Sequence, residues 1–255
     1  MRIRFLGTGT SQGVPLIACT CHVCTSLNSR DKRLRSSILI ESDTTTLVID
    51  SGPDFRQQML REEVKKLDAI VFTHEHKDHI AGLDDVRAYN YILQQSMHVY
   101  CTNQVREALY REFHYAFSEK KYPGVPEIEL HEISQNETFT VGDISLQPIE
   151  VIHYKLPVLG YRVKNFAYIT DANFISEQEQ EKLLGLDVLV INALRHEEHP
   201  SHFTFNQALA LIEKLQPKQA YLTHISHQLG TYEELQPQLP KNVQLAYDGL
   251  HISLD

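Results

Sequence analysis

A dozen short apolar runs rich in β-branched residues, each bounded by turn residues, limit this chain to a layered architecture. Five lie in the first half, at 3–6, 37–40, 46–49, 69–72 and 98–101, and 128–133 opens the second. The second half continues the theme at 144–149, 158–163, 166–169, 188–191, 219–222 and 250–254. Runs of this length and composition read as buried strands. Helical patterns alternate with them at 55–65, 80–94, 105–117, 177–184 and 205–215. The last puts Phe205, Ala208, Leu209, Ile212 and Leu215 on one face behind Thr204, an N-cap residue type. With no low-complexity tract, charge run or Pro/Gly-rich linker, residues 1–255 are expected to form one α/β domain, two sheets packed face to face with helices outside them. The stretch 118–127 carries two prolines and a glycine and is expected to be a loop, either a lid or a plain surface excursion.

Composition narrows the function. No apolar run approaches the roughly 20 residues that cross a bilayer, and the first ten residues lack the apolar core of a secretory signal. A cytoplasmic protein without membrane association is expected. Acidic residues outnumber basic ones 33 to 24, for a formal charge of −9. No block of five lysines and arginines occurs, which disfavours nucleic acid as a partner, since backbone affinity rests on cationic contacts. A small anionic substrate stays open, because bound cations can reverse the field inside a site.

Histidine is abundant, with 14 copies concentrated in polar segments that follow apolar runs, and it is the commonest metal ligand. Directly after the run 68–72 stands Thr73-His74-Glu75-His76-Lys77-Asp78-His79, followed by an amphipathic stretch. On extended chain, His74 and His76 project to the same side. Asp78 and His79 fall where the next helix begins and can address a second point. Two histidines could then serve one cation and an Asp-His pair another a few ångströms away; a solvated polar loop is the plain alternative. Further donors sit after other strand ends: His153, Asp171 and His224. A second set is Cys19, Cys21 and Cys24, three thiols within six residues, which in a reducing compartment read as metal binding before disulfide. A closed zinc site needs a fourth ligand. His227 is the first choice, because a short turn after His224 could send the two side chains to different sites; His22 is the second. Cys101 is expected in the core.

The histidine motif, Gly7-Thr-Gly-Thr-Ser-Gln-Gly13, Val48-Ile-Asp-Ser-Gly-Pro-Asp54 and the spaced His, Asp and His resemble, in order, the metallo-β-lactamase superfamily. Within it the chain is similar to the PhnP-like phosphoribosyl cyclic phosphodiesterases, with tRNA 3′-processing ribonuclease Z as a neighbouring branch. The resemblance implies an αββα sandwich. It implies His74, His76 and His153 on one metal, Asp78, His79 and His224 on the other, and Asp171 bridging them. Asp50 would support a ligand histidine from behind. The cysteine insertion with its trailing histidine matches the PhnP-like branch. The cofactors implied are two divalent ions, zinc or manganese, and one structural zinc.

Such a pair of cations, about 3.5 to 4 Å apart, supplies a hydroxide bridging the metals at neutral pH and stabilises an in-line displacement at phosphorus. Asp78 and His202 are the residues expected in catalytic roles, His202 as general acid or phosphate clamp just ahead of the helix 205–215. His196 and His199 are expected at the surface. The leading expectation is hydrolysis of a small anionic cyclic phosphodiester. Its rivals are tRNA 3′-end processing, a non-catalytic zinc-binding protein of the same fold, and thioester or β-lactam hydrolysis. A homodimer is the default assembly. Lys120, Lys121, Tyr122 and Arg195 are weaker choices for substrate contacts.

Overall fold

The computed structural model describes residues 1–254. Among them, fourteen strands form two seven-stranded sheets. The first sheet contains β1 (Arg2–Gly7), β2 (Ser37–Glu41), β3 (Thr46–Ile49), β4 (Ala69–Val71), β5 (Met97–Cys101), β6 (Ile128–Glu132) and β14 (His251–Ser253), in the order β14-β1-β2-β3-β4-β5-β6. The second contains β7 (Phe139–Val141), β8 (Ile144–His153), β9 (Leu156–Val163), β10 (Phe166–Ile169), β11 (Val188–Asn192), β12 (Gln219–Thr223) and β13 (Val243–Leu245), in the order β13-β12-β11-β10-β9-β8-β7. In each sheet one half is antiparallel and the other parallel: β3 through β6 run together, as do β10 through β13.

Alternation along the strands explains the layering. In β2, Ile38 and Ile40 enter the core between the sheets while Leu39 enters the core beneath the outer helices. In β11, Val190 faces inward and Leu189 and Ile191 face outward. Strands buried on both faces read as continuous apolar runs, which is why they were legible as runs and not as alternating patterns. Each fully buried Ile or Leu contributes about 1.5–3 kcal/mol relative to exposure. The outcome is the α/β, αββα sandwich, as expected.

The helices are α1 (His22–Thr25), α2 (Phe55–Arg61), α3 (Lys77–Ile80), α4 (Arg87–Leu93), α5 (Asn103–Glu112), α6 (His114–Phe117), α7 (Glu177–Glu181), α8 (Phe205–Leu215) and α9 (Tyr232–Leu235). Helix α8 matches its expected bounds, with Thr204 and Gln207 closing a reciprocal capping box. Four expectations need correction. The pattern 80–94 is not one helix: α3 stops at Ile80, a short 3-10 turn covers Leu83–Val86, and α4 follows. Here Gly82 docks on the turn after β3, donating its N–H to the Ser51 carbonyl at 2.8 Å. The pattern 105–117 divides into α5 and α6 at Phe113, and the helices expected over 55–65 and 177–184 end at Arg61 and Glu181. The short strands β7 and β13 were not anticipated. The stretch 118–127 is a loop with an exposed start, and Cys101 is fully buried. Among the described residues no helix is long and apolar enough to cross a membrane.

Candidate metal centre

Parallel strands present their carboxyl ends on one side, where loops are free to converge. Strand β3 runs into Asp50, β4 into Thr73 and His74, β10 into Asp171 and β12 into His224, while β8 ends on His153. Asp50 and His224 have positive φ values of 64° and 54°, a left-handed conformation that costs a non-glycine residue roughly 1 kcal/mol or more. Gly52 and Gly82 make the next step feasible. A Cβ on Gly52 would lie 2.0 Å from the Asp78 carbonyl oxygen, and one on Gly82 would lie 2.1 Å from that of Gly52. With hydrogens there instead, α3 lies flat on the turn after β3 and delivers His79 to Asp50.

The seven expected donors meet. The His74 ring centroid is 4.6 Å from that of His76 and 5.5 Å from that of His153, and the His76 and His153 rings are 5.0 Å apart. His74 Nε2 is 3.0 Å from His76 Nδ1. Next to this trio, His79 Nε2 lies 3.1 Å from Asp78 Oδ2 and 2.7 Å from Asp171 Oδ2. Asp171 stands in the middle. Its Oδ2 also faces His74 Nε2 at 3.6 Å, and its Oδ1 faces His224 Nδ1 at 3.0 Å and His202 Nδ1 at 3.6 Å. All of these residues are buried except Asp78, half-buried, and His76, exposed, which mark the mouth.

Partners behind the site decide which nitrogen points inward. His153 Nδ1 lies 2.8 Å from the Ser201 carbonyl, which only accepts, so Nδ1 carries the proton and Nε2 offers a lone pair. His79 Nδ1 donates to Asp50 Oδ2 at 2.7 Å, and Asp50 also accepts from the Thr73 N–H and hydroxyl, both at 2.8 Å. The Thr73 hydroxyl also lies 2.9 Å from His74 Nδ1. His224 meets a hydroxyl at each nitrogen, with Nε2 3.2 Å from that of Thr10 and Nδ1, which also faces Asp171, 3.2 Å from that of Ser36. These hydroxyls escaped the sequence reading. Thr10 lies in the Gly7–Gly13 motif, whereas nothing in the sequence marks Ser36.

Electrostatics agree with a seat for cations. Burial, then the neighbouring His79, holds His74 well below the usual imidazole range; burial, then His153, lowers His76; and burial lowers His224. For Asp171, burial would favour the neutral acid, but His224 and His79 keep it far below the ordinary carboxylate range. Burial works against a charge on His79 too, yet Asp78, Asp171 and Asp50 raise it well above 6.5. His79 Nε2 and Asp171 Oδ1, both buried, make no well-directed hydrogen bond despite their close charged neighbours. Inward-facing imidazoles around such a carboxylate oxygen fit divalent metals as ligands.

His202 is buried beside the cluster, its ring 4.6 Å from His153 and 4.7 Å from His224. Its Nδ1 is buried without a hydrogen-bond partner. Burial, reinforced by His224, pulls its pKa down to about 2. Capping of α8 falls to Thr204 and not to His202. His196 is exposed as expected, but His199 is not a plain surface residue: it is half-buried and stacks on His202 at 5.1 Å. Lys120, Lys121 and Tyr122 are exposed on their loop, and Arg195 is bonded to Gln228 Oε1 at 2.9 Å. Exposed Tyr154 and Phe174 follow His153 and Asp171 in sequence and were not anticipated.

The cysteine cluster assembles separately. His227 Nδ1 lies 3.4 Å from both Cys19 Sγ and Cys21 Sγ, and Cys24 Sγ completes a group of four donors within 4.8 Å of one another. The turn after β12 does separate His224 from His227. His22 instead meets Glu234 Oε2 at 3.3 Å. The His227 hydrogen bond draws the Cys21 thiol down to about 6, while burial pushes Cys24 up to about 11. All four cysteines are free of disulfides, and the three sulfurs with one imidazole match a zinc set.

Residues 45–225 match the family model described as a beta-lactamase superfamily domain. Among solved structures, the chain is similar to a new diphosphatase from the PhnP family, with 42% identity and a TM-score of 0.92, covering 99% of this chain and 97% of that one. It shares its fold with Zn(2+)-bound PqqB from Methylobacterium extorquens, at 19% identity and a TM-score of 0.83 over the whole of both chains. Among curated proteins, it is 39% identical over its full length to an octanoyltransferase of Porphyromonas gingivalis, and spans 52% of that relative.

Proposed function

The chain belongs to the metallo-β-lactamase superfamily of hydrolases and, within it, to the PhnP family; on that premise we propose that it is a dinuclear metal-dependent phosphodiesterase acting on a small cyclic phosphodiester of the phosphoribosyl 1,2-cyclic phosphate type. The observation that carries this reading is Asp171, with one carboxylate oxygen toward His74 and His79 and the other toward His224 and His202.

His74, His76 and His153 would hold one cation and Asp78, His79 and His224 the other, with Asp171 shared. When bound, such a pair ionises water at neutral pH and stabilises the charge that builds on phosphoryl oxygens. The protein's own part is positional. Asp50, Thr73 and the Ser201 carbonyl hold the imidazoles of His79, His74 and His153 from behind, so that the nitrogen each turns toward the site is set before any ligand arrives. Asp171 would be taken up as a holder of the pair and would not serve as the base. His202 has an unpartnered Nδ1 aimed into the site and donates a hydrogen bond to a phosphoryl oxygen of the substrate. His199, stacked on His202, restrains that ring. The cysteine set would hold a structural zinc that fixes the segment carrying His227. The name octanoyltransferase is not carried over to this chain, because nearly half of that relative lies beyond the matched part.

The test is turnover by zinc- or manganese-loaded protein on phosphoribosyl 1,2-cyclic phosphate, bis(p-nitrophenyl) phosphate and a tRNA precursor. Ring opening of the cyclic phosphate is expected, with His202→Ala lowering kcat by about 10²–10⁴-fold. Cleavage of the tRNA precursor alone would replace this reading with 3′-end processing, and no turnover on any of the three would remove it.

A further inference from the structure

Away from both clusters, at the β6 edge of the first sheet, two imidazoles and a carboxylate face one another. Strands β5 and β6 run parallel, with His98 opposite Glu129 and Tyr100 opposite His131. Side chains two apart on a strand share a face, so these four emerge together. His98 Nδ1 lies 2.9 Å from His131 Nε2. Glu129 spans the pair, with Oε2 3.6 Å from His98 Nδ1 and Oε1 3.6 Å from His131 Nε2.

We propose that His98, Glu129 and His131 form a further divalent-cation site, of the zinc-binding His-His-Glu class, that ties edge strand β6 to β5. Zinc bonds of about 2.0–2.2 Å in tetrahedral geometry place neighbouring ligand atoms about 3.3–3.6 Å apart; the two imidazole nitrogens are somewhat closer than that, and each lies at its upper end from one of the two Glu129 oxygens. The site is also preorganised. The His131 ring stacks on Tyr100 at 4.6 Å and 20°, and Tyr100 stacks on Phe139 at 5.5 Å and 18°, so aromatic packing sets the imidazole plane independently of its contact with His98. Side-chain exposures of 44% for His98, 56% for Glu129 and 32% for His131 leave room for water as a fourth ligand. Two imidazoles and a carboxylate are a donor set that suits zinc among the available divalent ions.

Edge strands offer unpaired backbone groups to other chains, and proteins restrain them by several means. A cation bridging β5 and β6 is such a restraint, and it links stability to zinc concentration by mass action. The competing arrangement is a plain hydrogen bond between the two imidazoles, which needs no ion.

Calorimetric titration of zinc chloride into protein already loaded at the histidine-aspartate and cysteine sites separates the two. The wild type is expected to take up one further equivalent and to unfold at a higher temperature as zinc rises. His131→Gln should abolish that uptake, and Glu129→Gln, at an exposed position that the fold tolerates, should weaken it at least about tenfold. Phosphodiester turnover should stay unchanged in both variants. No further uptake by the wild type at submillimolar zinc would overturn the proposal, as would an extra equivalent retained in both variants.

Discussion

Asp50 is fully buried, and burial pushes its carboxyl toward the neutral form while His79 and Thr73 oppose that shift. Its three hydrogen bonds to His79 and Thr73 transmit the geometry of β3 to the metal site through a ligand histidine, with Asp50 itself not among the donors proposed for the metals. Asp50→Ala leaves His79 Nδ1 buried and unpaired and frees its ring, so affinity for the metal pair should fall about 10–100-fold. Metal content after dialysis at fixed free zinc measures the loss, and full retention would contradict this role. Asp50→Asn keeps an acceptor for His79 and should lose less. The donors at this scale were legible, because His74, His76, Asp78 and His79 occupy a compact motif beside a strand. The supporting hydroxyls of Ser36 and Thr73 were not, since one serine or threonine carries no pattern, and Ser36 meets His224 across 188 positions of sequence.

Elements were readable where local forces define them and obscure where tertiary contacts do. Helix α8 matched its expectation because cap, apolar face and end all lie within 204–216. The stretch 80–94 gave a continuous amphipathic pattern, yet the helix is interrupted after Ile80 at Gly82, whose close approach to Gly52 no window of sequence reveals. Strands β7 and β13 are three residues each, too short for a periodic signal. The contact that broke the expected helix also seats Asp78. Gly52→Ala would force the Asp78 carbonyl away from a Cβ placed 2.0 Å from it. A destabilisation of about 1–3 kcal/mol is expected from such overpacking, with a parallel loss of metal. Thermal unfolding and metal content check both, and unchanged values would show that α3 can shift without disturbing the site.

At the scale of the whole molecule, two sheets of matching design set their parallel halves so that strand ends from both reach one cluster. β3 and β4 of the first sheet supply Asp50 and the histidine motif, and β8, β10 and β12 of the second supply His153, Asp171 and His224. The sandwich itself was foreseeable from a dozen apolar runs interleaved with helices. The convergence of the strand ends was available only through the family resemblance, since spacing along a chain does not fix distances across two sheets. A formal charge of −9 is no obstacle to an anionic substrate if the cluster holds two divalent ions.

The most direct test of that premise is anomalous X-ray diffraction at the zinc edge from crystals of zinc-loaded protein. Two peaks flanking the Asp171 carboxylate are predicted, one against His74, His76 and His153 and the other against Asp78, His79 and His224, with a separate peak among Cys19, Cys21, Cys24 and His227. A map with the cysteine peak present and no density at Asp171 would contradict the account.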